Sequence, residues 1–202
     1  MVAFSVAISA GGNSSRMGTD KAFVPLAGRP IMRHVMACIA DVGQTETFIV
    51  TNRPEDYSLF GLPMFGDVIP DKGALGGVHA AVHHSKTDYA LVVACDMPFL
   101  EPDLMRYMVR LADETGADVI ATTVDDYPQG LHALYRKTCL PHIEARLAAD
   151  RLKVIGFYPQ VTVRTIAETE YAPYIPGGHP FFNVNTPEQL AEAQQIAEKL
   201  ME

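Results

Sequence analysis

Residues 2–21, VAFSVAISAGGNSSRMGTDK, join an apolar segment directly to a glycine-rich loop. The apolar part, Val2–Ser9, predicts a first β-strand. Three glycines follow it, at Gly11, Gly12 and Gly18. Glycine lets backbone N–H groups approach phosphate oxygens without a Cβ in the way. Arg16 can donate two hydrogen bonds to one phosphate, and Lys21 can place a compact charge on another. The stretch therefore predicts a strand that leads into a triphosphate-binding loop.

The spacing within this loop excludes the two common phosphate-binding motifs. It fits neither GxGxxG nor GxxxxGK[ST], because Lys21 stands three residues after Gly18 and is followed by Ala22. A glycine loop can also follow the first strand of an α/β protein for structural reasons, with its cations simply solvated. The loop alone leaves both interpretations open, so further features are needed.

Strands and helices alternate along the rest of the chain. Apolar runs predict strands at Thr45–Thr51, Tyr89–Ala94 and Ala117–Val124. Apolar periodicity, prolines in first turns and glycines after last turns predict helices at Ile31–Val42, Gly77–His84, Pro102–Thr115, Pro141–Ala149 and Pro187–Met201. This alternation predicts a three-layer α/β/α, Rossmann-like fold with a mostly parallel sheet. At 202 residues we expect a single domain.

Two segments near the C-terminus fit this alternation less well. Val154–Ile166 predicts an additional β excursion, and Glu168–His179, rich in Tyr, Pro and Gly, predicts a loop near the mouth of a site. Ligands of such sheets bind beyond the carboxyl ends of the strands, so we expect the chemistry there.

Composition limits the functional classes. The formal net charge of −8 disfavours nucleic-acid binding. Without an apolar run of about 18 residues, no membrane span is expected. Three cysteines with no CxxC spacing argue against a disulfide framework or a structural zinc site. We therefore expect a soluble, cytoplasmic protein with no nucleic-acid or membrane partner.

One carboxylate stands where the third predicted strand ends. Asp96 follows the apolar run Leu91–Ala94, and Pro98 then turns the chain. Mg²⁺ prefers oxygen ligands and often bridges one or two carboxylates to substrate phosphates. An isolated Asp at a strand end is more often a cap of the next turn. Together with the loop at residues 10–21, the metal-binding interpretation is favoured.

Two further segments carry polar candidates. Asp71 lies in a second glycine-rich turn, and its carboxylate can accept both N1–H and the exocyclic amino group of guanine. The alternative is that it only initiates a turn, but we take Asp71 as the candidate near the base. Near the C-terminus, the alternation in residues 181–185 predicts that Asn183 and Asn185 face the same way, where they can reach metal, phosphate or acceptor. Thr186 and Pro187 then begin the last predicted helix.

Residues 10–31, AGGNSSRMGTDKAFVPLAGRPI, resemble the signature of the molybdenum cofactor guanylyltransferases among the sugar-nucleotide-type nucleotidyltransferases. Residues 95–98, CDMP, are similar to the family motif CD-x-P, and residues 181–188, FFNVNTPE, to F-x-NVNTPE. The AGG form, with Gly11, accompanies guanine nucleotides in this superfamily. Ser9 departs from the usual Leu, and Ala74 replaces a Pro of the family segment that contains Asp71.

The resemblance implies a set of roles. Catalytic residues would be Arg16, Lys21 and Asp96. Nucleotide-binding residues would be Ser9, Ala10, Gly11, Gly12, Lys21, Asn52, Asp71 and Asp96. Mg²⁺ would be held by Asp96 and Asn185, and the acceptor side would include Asn183, Asn185 and His132. The N-terminal part would bind the nucleotide, and residues 115–180 would form the acceptor side.

The implied reaction transfers GMP from GTP to Mo-molybdopterin with release of pyrophosphate. Possible recipients of the product are molybdoenzyme apoproteins and their chaperones. Two alternatives stay open on the sequence. One is a related nucleotidyltransferase that uses CTP or another phosphorylated acceptor. The other is a nucleotide- or cofactor-binding carrier without catalysis, which would not need Arg16, Lys21 and Asp96 together.

Overall fold

A seven-stranded sheet lies at the centre of the computed structural model, which describes residues 1–11 and 20–201. The strands are β1 Phe4–Ser9, β2 Pro25–Leu26, β3 Arg29–Pro30, β4 Glu46–Val50, β5 Met64–Phe65, β6 Tyr89–Ala94, β7 Val119–Val124, β8 Tyr127–Arg136 and β9 Val163–Ile166. Their order in the sheet is β5-β4-β1-β6-β8-β7-β9, while β2 and β3 form a separate hairpin. The β1, β4, β5 and β6 strands pair in parallel, so their carboxyl ends meet at one edge.

Helices cover both faces of the sheet. They are α1 Ile31–Cys38, α2 Pro54–Tyr57, α3 Gly73–His84, α4 Pro102–Thr115, α5 Leu140–Ala148, α6 Glu168–Tyr171 and α7 Pro187–Met201. Side chains alternate along β1, so Val6 and Ile8 pack with α1 and α4 on one face, and Ala7 packs with α3 and α5 on the other. The predicted three-layer α/β/α fold is confirmed.

A third apolar cluster joins the two ends of the chain. Val24, which precedes the β2–β3 hairpin, and Leu26 of β2 pack against Ala193 and Ile196 of α7. Gln194 of α7 also accepts a hydrogen bond from a backbone N–H of this hairpin. The segment just after the glycine-rich loop is therefore held against the residues that lead into α7.

Most predicted elements are confirmed, with small changes at their ends. The Tyr89–Ala94 strand and the Pro102–Thr115 and Pro187–Met201 helices have the predicted bounds. These segments have regular patterns of apolar residues and recognisable residues at their ends, such as Gly116, which has a left-handed conformation after α4. The α1 helix is shorter than predicted and ends at Cys38. No helix in the described part of the chain is both long and apolar enough to cross a membrane.

The start of α3 was predicted incorrectly. The helix begins at Gly73, not Gly77, although glycine is a poor helix former. Close packing explains why glycines are used here. A Cβ on Gly76 would lie 2.9 Å from Cβ of Lys72, and one on Gly77 would lie 3.0 Å from Oγ of Ser9. The first turn of α3 thus approaches the end of β1 more closely than larger residues allow.

The two unusual C-terminal segments also differ from prediction. Of the predicted excursion Val154–Ile166, the last four residues form β9, which pairs with β7 and confirms the strand there. Residues 154–160 form a 3₁₀ helix and not a strand, because Pro159 interrupts strand pairing and Phe157 is buried against the α3–α5 layer. Within Glu168–His179, α6 is anchored by Tyr171, which is buried and donates a hydrogen bond to the Thr123 carbonyl. Pro176 and Gly177 of this segment line a cavity of about 540 Å³ that shares no described lining residue with the one containing Asp96.

Two strands of the sheet were not predicted from the sequence pattern, the short β5 and the long β8. The β8 strand runs antiparallel between β6 and β7, following β7 through the two left-handed residues Asp125 and Asp126. Gly130 and Pro128 interrupt its apolar pattern, which conceals it in the sequence. The sheet is therefore mixed at this position, although most of its pairs are parallel.

Candidate active site

A cavity of about 500 Å³ lies beyond the carboxyl ends of β1 and β6, beside the first turn of α3. This is the usual position of a ligand in an open α/β sheet. Its lining residues are Ser9, Ala10, Gly11, Asp20, Lys21, Asn52, Asp67, Asp71, Gly73, Ala74, Gly77, Ala94, Cys95, Asp96 and Leu131. Of the predicted nucleotide-binding residues, Gly12 lies outside the described residues, as does the predicted catalytic Arg16. All the others line this cavity.

Lys21 lies at the centre of the polar side chains in this cavity. It begins the 3₁₀ turn Lys21–Phe23, directly after the loop. Its Nζ lies 3.6 Å from Oδ2 of Asp96 and donates a hydrogen bond to Oδ1 of Asn185. The Lys21 side chain is 22% exposed and that of Asp96 16% exposed. An ammonium, a carboxylate and an amide thus converge where solvent still has access.

Asp96 is positioned by backbone hydrogen bonds on both sides. The Cys95 N–H donates to the Ser9 carbonyl at 3.1 Å, and the Asp96 carbonyl accepts from the Val184 N–H at 3.0 Å. Burial raises the pKa of the Asp96 carboxyl, and the charge of Lys21 partly opposes that rise. Burial also raises the pKa of the Cys95 thiol, with Asp96 adding to the effect, so this cysteine is a poor nucleophile.

The donor atoms here fit a hard cation that shares its coordination with substrate. Asp96 offers a carboxylate oxygen and Asn185 an amide oxygen, and both lie around Lys21 Nζ. In residues 1–11 and 20–201, no group of three or more His, Cys, Asp or Glu is arranged to hold a metal. Mg²⁺ matches such a sparse oxygen set, because it commonly keeps waters and binds substrate phosphates. A cation enclosed by protein ligands alone does not fit.

At the other end of the cavity, Asn52 and Asp67 bind each other. The Asn52 amide donates to Oδ2 of Asp67 and accepts from the Asp67 N–H, both at 2.8 Å. Asp71 is exposed at the rim and has a left-handed backbone with φ of 60°. Its carboxylate is therefore accessible to a ligand, whereas the amide of Asn52 already has partners. The predicted nucleotide contacts of both residues stay predictions.

Asn183 and Asn185 do not face the same way, so that prediction was wrong. Residues 181–185 form no strand, and alternation therefore does not apply to them. Asn185 reaches Lys21, whereas the Asn183 amide donates to the Phe181 carbonyl at 2.8 Å and lines a neighbouring chamber of about 300 Å³. His132, also predicted on the acceptor side, is buried in β8 and lines the same chamber.

Asp20 is a site residue to which the sequence analysis assigned no role. Its Oδ1 accepts the Ala22 N–H at 3.1 Å, which caps the turn that carries Lys21. Its Oδ2 accepts a hydrogen bond from the buried Tyr57 hydroxyl at 2.7 Å and another from Arg53. The capping position before a short helical turn was the available local signal. Tyr57 of α2 and Arg53, which precedes that helix, come from another part of the chain, so the local sequence pattern did not indicate them.

Comparison with known proteins assigns the family. Residues 6–162 match the family model described as the MobA-like NTP transferase domain. The chain belongs to this family. It is therefore a nucleotidyltransferase. The match includes Lys21, Asp71, Asp96 and His132 and ends before the residues around Asn185.

Similar proteins cover nearly the whole chain. A probable molybdenum cofactor guanylyltransferase of Pelotomaculum thermopropionicum is 38% identical over 95% of this chain and 92% of its own. A molybdenum cofactor guanylyltransferase of Vibrio cholerae is 34% identical over 92% of this chain and 88% of its own. The crystal structure of molybdopterin-guanine dinucleotide biosynthesis protein A from Archaeoglobus fulgidus has a TM-score of 0.85 at 24% identity, covering 96% and 99% of the two chains. That likeness supports the fold.

Proposed function

We propose that this chain transfers GMP from GTP to Mo-molybdopterin and releases pyrophosphate, which yields a guanine dinucleotide form of the cofactor. The observation that carries the proposal is the pair of Lys21 and Asp96 in a nucleotide-sized cavity at the end of β1 and β6, with Asn185 hydrogen-bonded to Lys21. The activity of the related molybdenum cofactor guanylyltransferases, as their names give it, supports the choice of nucleotide and acceptor.

The reaction is an attack of the acceptor phosphate on the α-phosphorus of GTP. A bond forms from an acceptor oxygen to the α-phosphorus, and the bond from that phosphorus to the oxygen bridging to the β-phosphate breaks. The electron pair leaves with pyrophosphate. The ammonium of Lys21 neutralises charge that develops on the phosphoryl oxygens, and backbone N–H groups near Gly11 hold the triphosphate. We propose that Arg16 assists in binding the same phosphates.

We propose Mg²⁺ as the divalent metal, because nucleotidyltransferases generally use one. Asp96 and Asn185 are the residues that would hold it. When bound, Mg²⁺ supplies charge neutralisation and polarisation at the phosphates that share its coordination. Lys21, which lies between the two residues, limits the repulsion between the Asp96 carboxylate and the incoming triphosphate.

We propose that Asp71 recognises guanine. Its exposed carboxylate at the rim can accept hydrogen bonds from N1–H and the exocyclic amino group, a pairing that adenine lacks. We propose that the acceptor binds in the chamber lined by Asn183 and His132, which shares Ala74 and Leu131 with the active-site cavity. Both substrates then belong to one domain. The proposed setting is the cytoplasm, where the product passes to molybdoenzyme apoproteins or their chaperones.

The test measures pyrophosphate release with GTP, CTP, ATP and UTP in turn, with Mg²⁺ and Mo-molybdopterin. We expect turnover with GTP, and loss of turnover in Asp96→Ala. Asp113→Ala serves as a control, because this exposed carboxylate on α4 does not line the cavity. Preference for CTP would contradict the role of Asp71. Nucleotide binding without turnover on this acceptor would contradict the proposed reaction and favour a carrier or another acceptor.

A further inference from the structure

Helix α7 holds the segment that carries Asn185 through a glutamine in its first turn. Oε1 of Gln189 accepts the Asn185 N–H at 2.8 Å, and the Gln189 N–H donates to Oγ1 of Thr186 at 3.2 Å. The pair resembles a capping box, in which a side chain of the first turn reaches back to the backbone that precedes the helix. The backbone of Asn185 is thereby fixed relative to α7.

A second glutamine of α7, five residues further on, holds the β2–β3 hairpin. Oε1 of Gln194 accepts the Ala27 N–H at 3.0 Å, and its Nε2 donates to the Pro25 carbonyl at 3.3 Å. Ala27 has a φ of 46°, in the left-handed region that residues with a Cβ rarely adopt. Such a conformation persists when surrounding groups constrain it, and Gln194 supplies that constraint from outside the hairpin.

The hairpin is joined to Lys21 by backbone hydrogen bonds on either side of it. The Val24 N–H donates to the Lys21 carbonyl at 3.2 Å and closes the turn that carries Lys21. The Val24 carbonyl accepts the Ile31 N–H at 3.0 Å, just after the hairpin. Val24 also belongs to the apolar cluster that contains Ala193 of α7. The position of Lys21 therefore depends on how the hairpin is held against α7.

The two glutamines thus hold the two partners of one contact. The Lys21 ammonium donates a hydrogen bond to Oδ1 of Asn185, although the two residues are 164 positions apart in the chain. Because α7 is continuous over Pro187–Met201, its two glutamines stay about 7.5 Å apart along the helix axis. Neither glutamine is among the described residues that line the cavity around Asp96, so both act on the site through other residues.

We infer that Gln189 and Gln194 are positioning residues, which hold Asn185 and Lys21 at the spacing that phosphoryl transfer requires. The inference rests on the proposed function and names the element that maintains the active-site geometry. A displacement of about 1 Å at reacting groups can cost about 100-fold in rate, so the loss of either anchor should reach the chemistry. Glutamines that only stabilised the fold would change the melting temperature and leave the kcat of the folded chain unchanged.

The first test compares two substitutions of Gln189. Gln189→Leu removes the acceptor at similar size, whereas Gln189→Glu keeps an acceptor oxygen and suits the start of a helix. In Gln189→Leu we expect kcat to fall about tenfold or more and the Mg²⁺ concentration for half-maximal rate to rise, while the KM for GTP changes less than about twofold. Gln189→Glu should recover most of the kcat, and Gln195→Leu, at an exposed position on α7, should retain all of it. An unchanged kcat and Mg²⁺ response in Gln189→Leu would overturn the inference.

Gln194 is tested against the turn that it holds. Gln194→Leu removes both hydrogen bonds to the hairpin, and we expect a lower melting temperature and a kcat about tenfold lower. Ala27→Asn supplies the Asn-Gly pair that favours a two-residue turn with left-handed residues, so adding it to Gln194→Leu should restore stability but little of the kcat. Recovery of kcat together with stability would mean that Gln194 only stabilises the turn, and the inference would fail.

An NMR measurement without turnover separates this inference from the proposed reaction. The side-chain amide signal of Asn185, assigned by its loss in Asn185→Ala, reports the contact with Lys21 in the chain without nucleotide. We expect Gln189→Leu and Gln194→Leu to shift this signal towards its position in Lys21→Ala, and Gln195→Leu to leave it in place. If these shifts occur and the chain has no turnover with GTP and Mo-molybdopterin, the proposed function fails and the positioning stands. If turnover occurs and the signal stays in place in both variants, the positioning fails.

Discussion

The ammonium of Lys21 lies 3.6 Å from Oδ2 of Asp96 and also donates a hydrogen bond to Asn185. Three segments far apart in the chain therefore meet at one cation: the turn after the glycine-rich loop, the end of β6 and the approach to α7. The pair is partly exposed, so a phosphate can reach it. In this arrangement the ammonium of Lys21 offsets the charge of the partly buried Asp96 carboxylate. A bound substrate would give both groups new partners.

Replacing Lys21 with Ala should reduce kcat/KM for GTP by about 10²- to 10³-fold, since a donor aimed at developing negative charge is lost. Steady-state pyrophosphate release measures the effect, and a thermal melt checks the fold. Lys21→Arg should recover only part of the activity, because a planar guanidinium cannot occupy the same position as an ammonium. Lys86→Ala, at an exposed ion pair with Glu46, is the matched control and should retain full activity. Equal activity of Lys21→Ala and Lys86→Ala would contradict the role of Lys21.

Replacing Asp96 with Asn should abolish metal-dependent turnover without lowering stability. Burial raises the pKa of Asp96 in the folded state above its value in the unfolded chain, which is near 4. As the pH rises through these two pKa values, ionisation of the buried carboxyl lowers the stability of the folded state. Asn has the same shape and no charge. At pH 7, in chelator and without nucleotide, we expect the melting temperature of the variant to be about 1–4 °C higher.

The stability difference should also depend on pH. Below the unfolded pKa, Asp96 is protonated in both states, so the advantage of Asp96→Asn should disappear near pH 3. Melting temperatures from pH 3 to pH 8 measure this. A variant that melts below the unaltered chain at pH 7 would show that the ion pair with Lys21 outweighs the burial of the carboxylate.

The sequence predicted those helices and strands whose apolar pattern and capping residues lie within the element or directly beside it. The strand Tyr89–Ala94 is a continuous apolar run that ends at a carboxylate, and α4 begins with Pro102 and ends before Gly116. Lys21 and Asp96 could be placed at one site because both follow parallel strands, whose carboxyl ends share an edge.

The remaining features depend on packing between distant residues. The glycines that begin α3 are explained by their close contacts with Ser9 and Lys72. Asn183 and Asn185 have different partners because residues 181–185 form no strand, so their side chains do not alternate. The chamber beside His132 arises from the contact of β8 with the 3₁₀ helix 154–160. No local periodicity encodes such a contact, so periodicity predicted the edge of the sheet around Lys21 and Asp96 better than the chamber beside His132.

Asp20 should act as a positioning residue for Lys21. Its carboxylate caps the Lys21 turn and accepts hydrogen bonds from Tyr57 and Arg53. In Asp20→Asn, one oxygen becomes an amino group that cannot accept them, and we expect kcat to fall about tenfold with a smaller change in the KM for GTP. Tyr57→Phe removes one of these hydrogen bonds and should cost about 0.5–1.5 kcal/mol of stability.

A double-mutant cycle of Asp20→Asn and Tyr57→Phe tests the connection. Because the two side chains are in contact, we expect a coupling of about 0.5–3 kcal/mol in the free energy of unfolding and non-additive losses in kcat. Leu59→Ala, an exposed residue next to α2, is the control and should combine additively with Asp20→Asn. Additive losses for Asp20 and Tyr57 would mean that the hydroxyl does not position the carboxylate.

Asn185 and Asn183 should have different kinetic roles although only one residue separates them. Asn185 contacts Lys21, so Asn185→Ala should lower kcat by about 10- to 100-fold and raise the Mg²⁺ concentration needed for half-maximal rate. Asn183 lines the second chamber, so Asn183→Ala should raise the KM for Mo-molybdopterin with kcat within about threefold. Rates measured while each substrate and Mg²⁺ are varied in turn separate the two profiles. If both variants lose kcat equally with an unchanged acceptor KM, then Asn183 and Asn185 serve one site and the division into two cavities has no kinetic meaning.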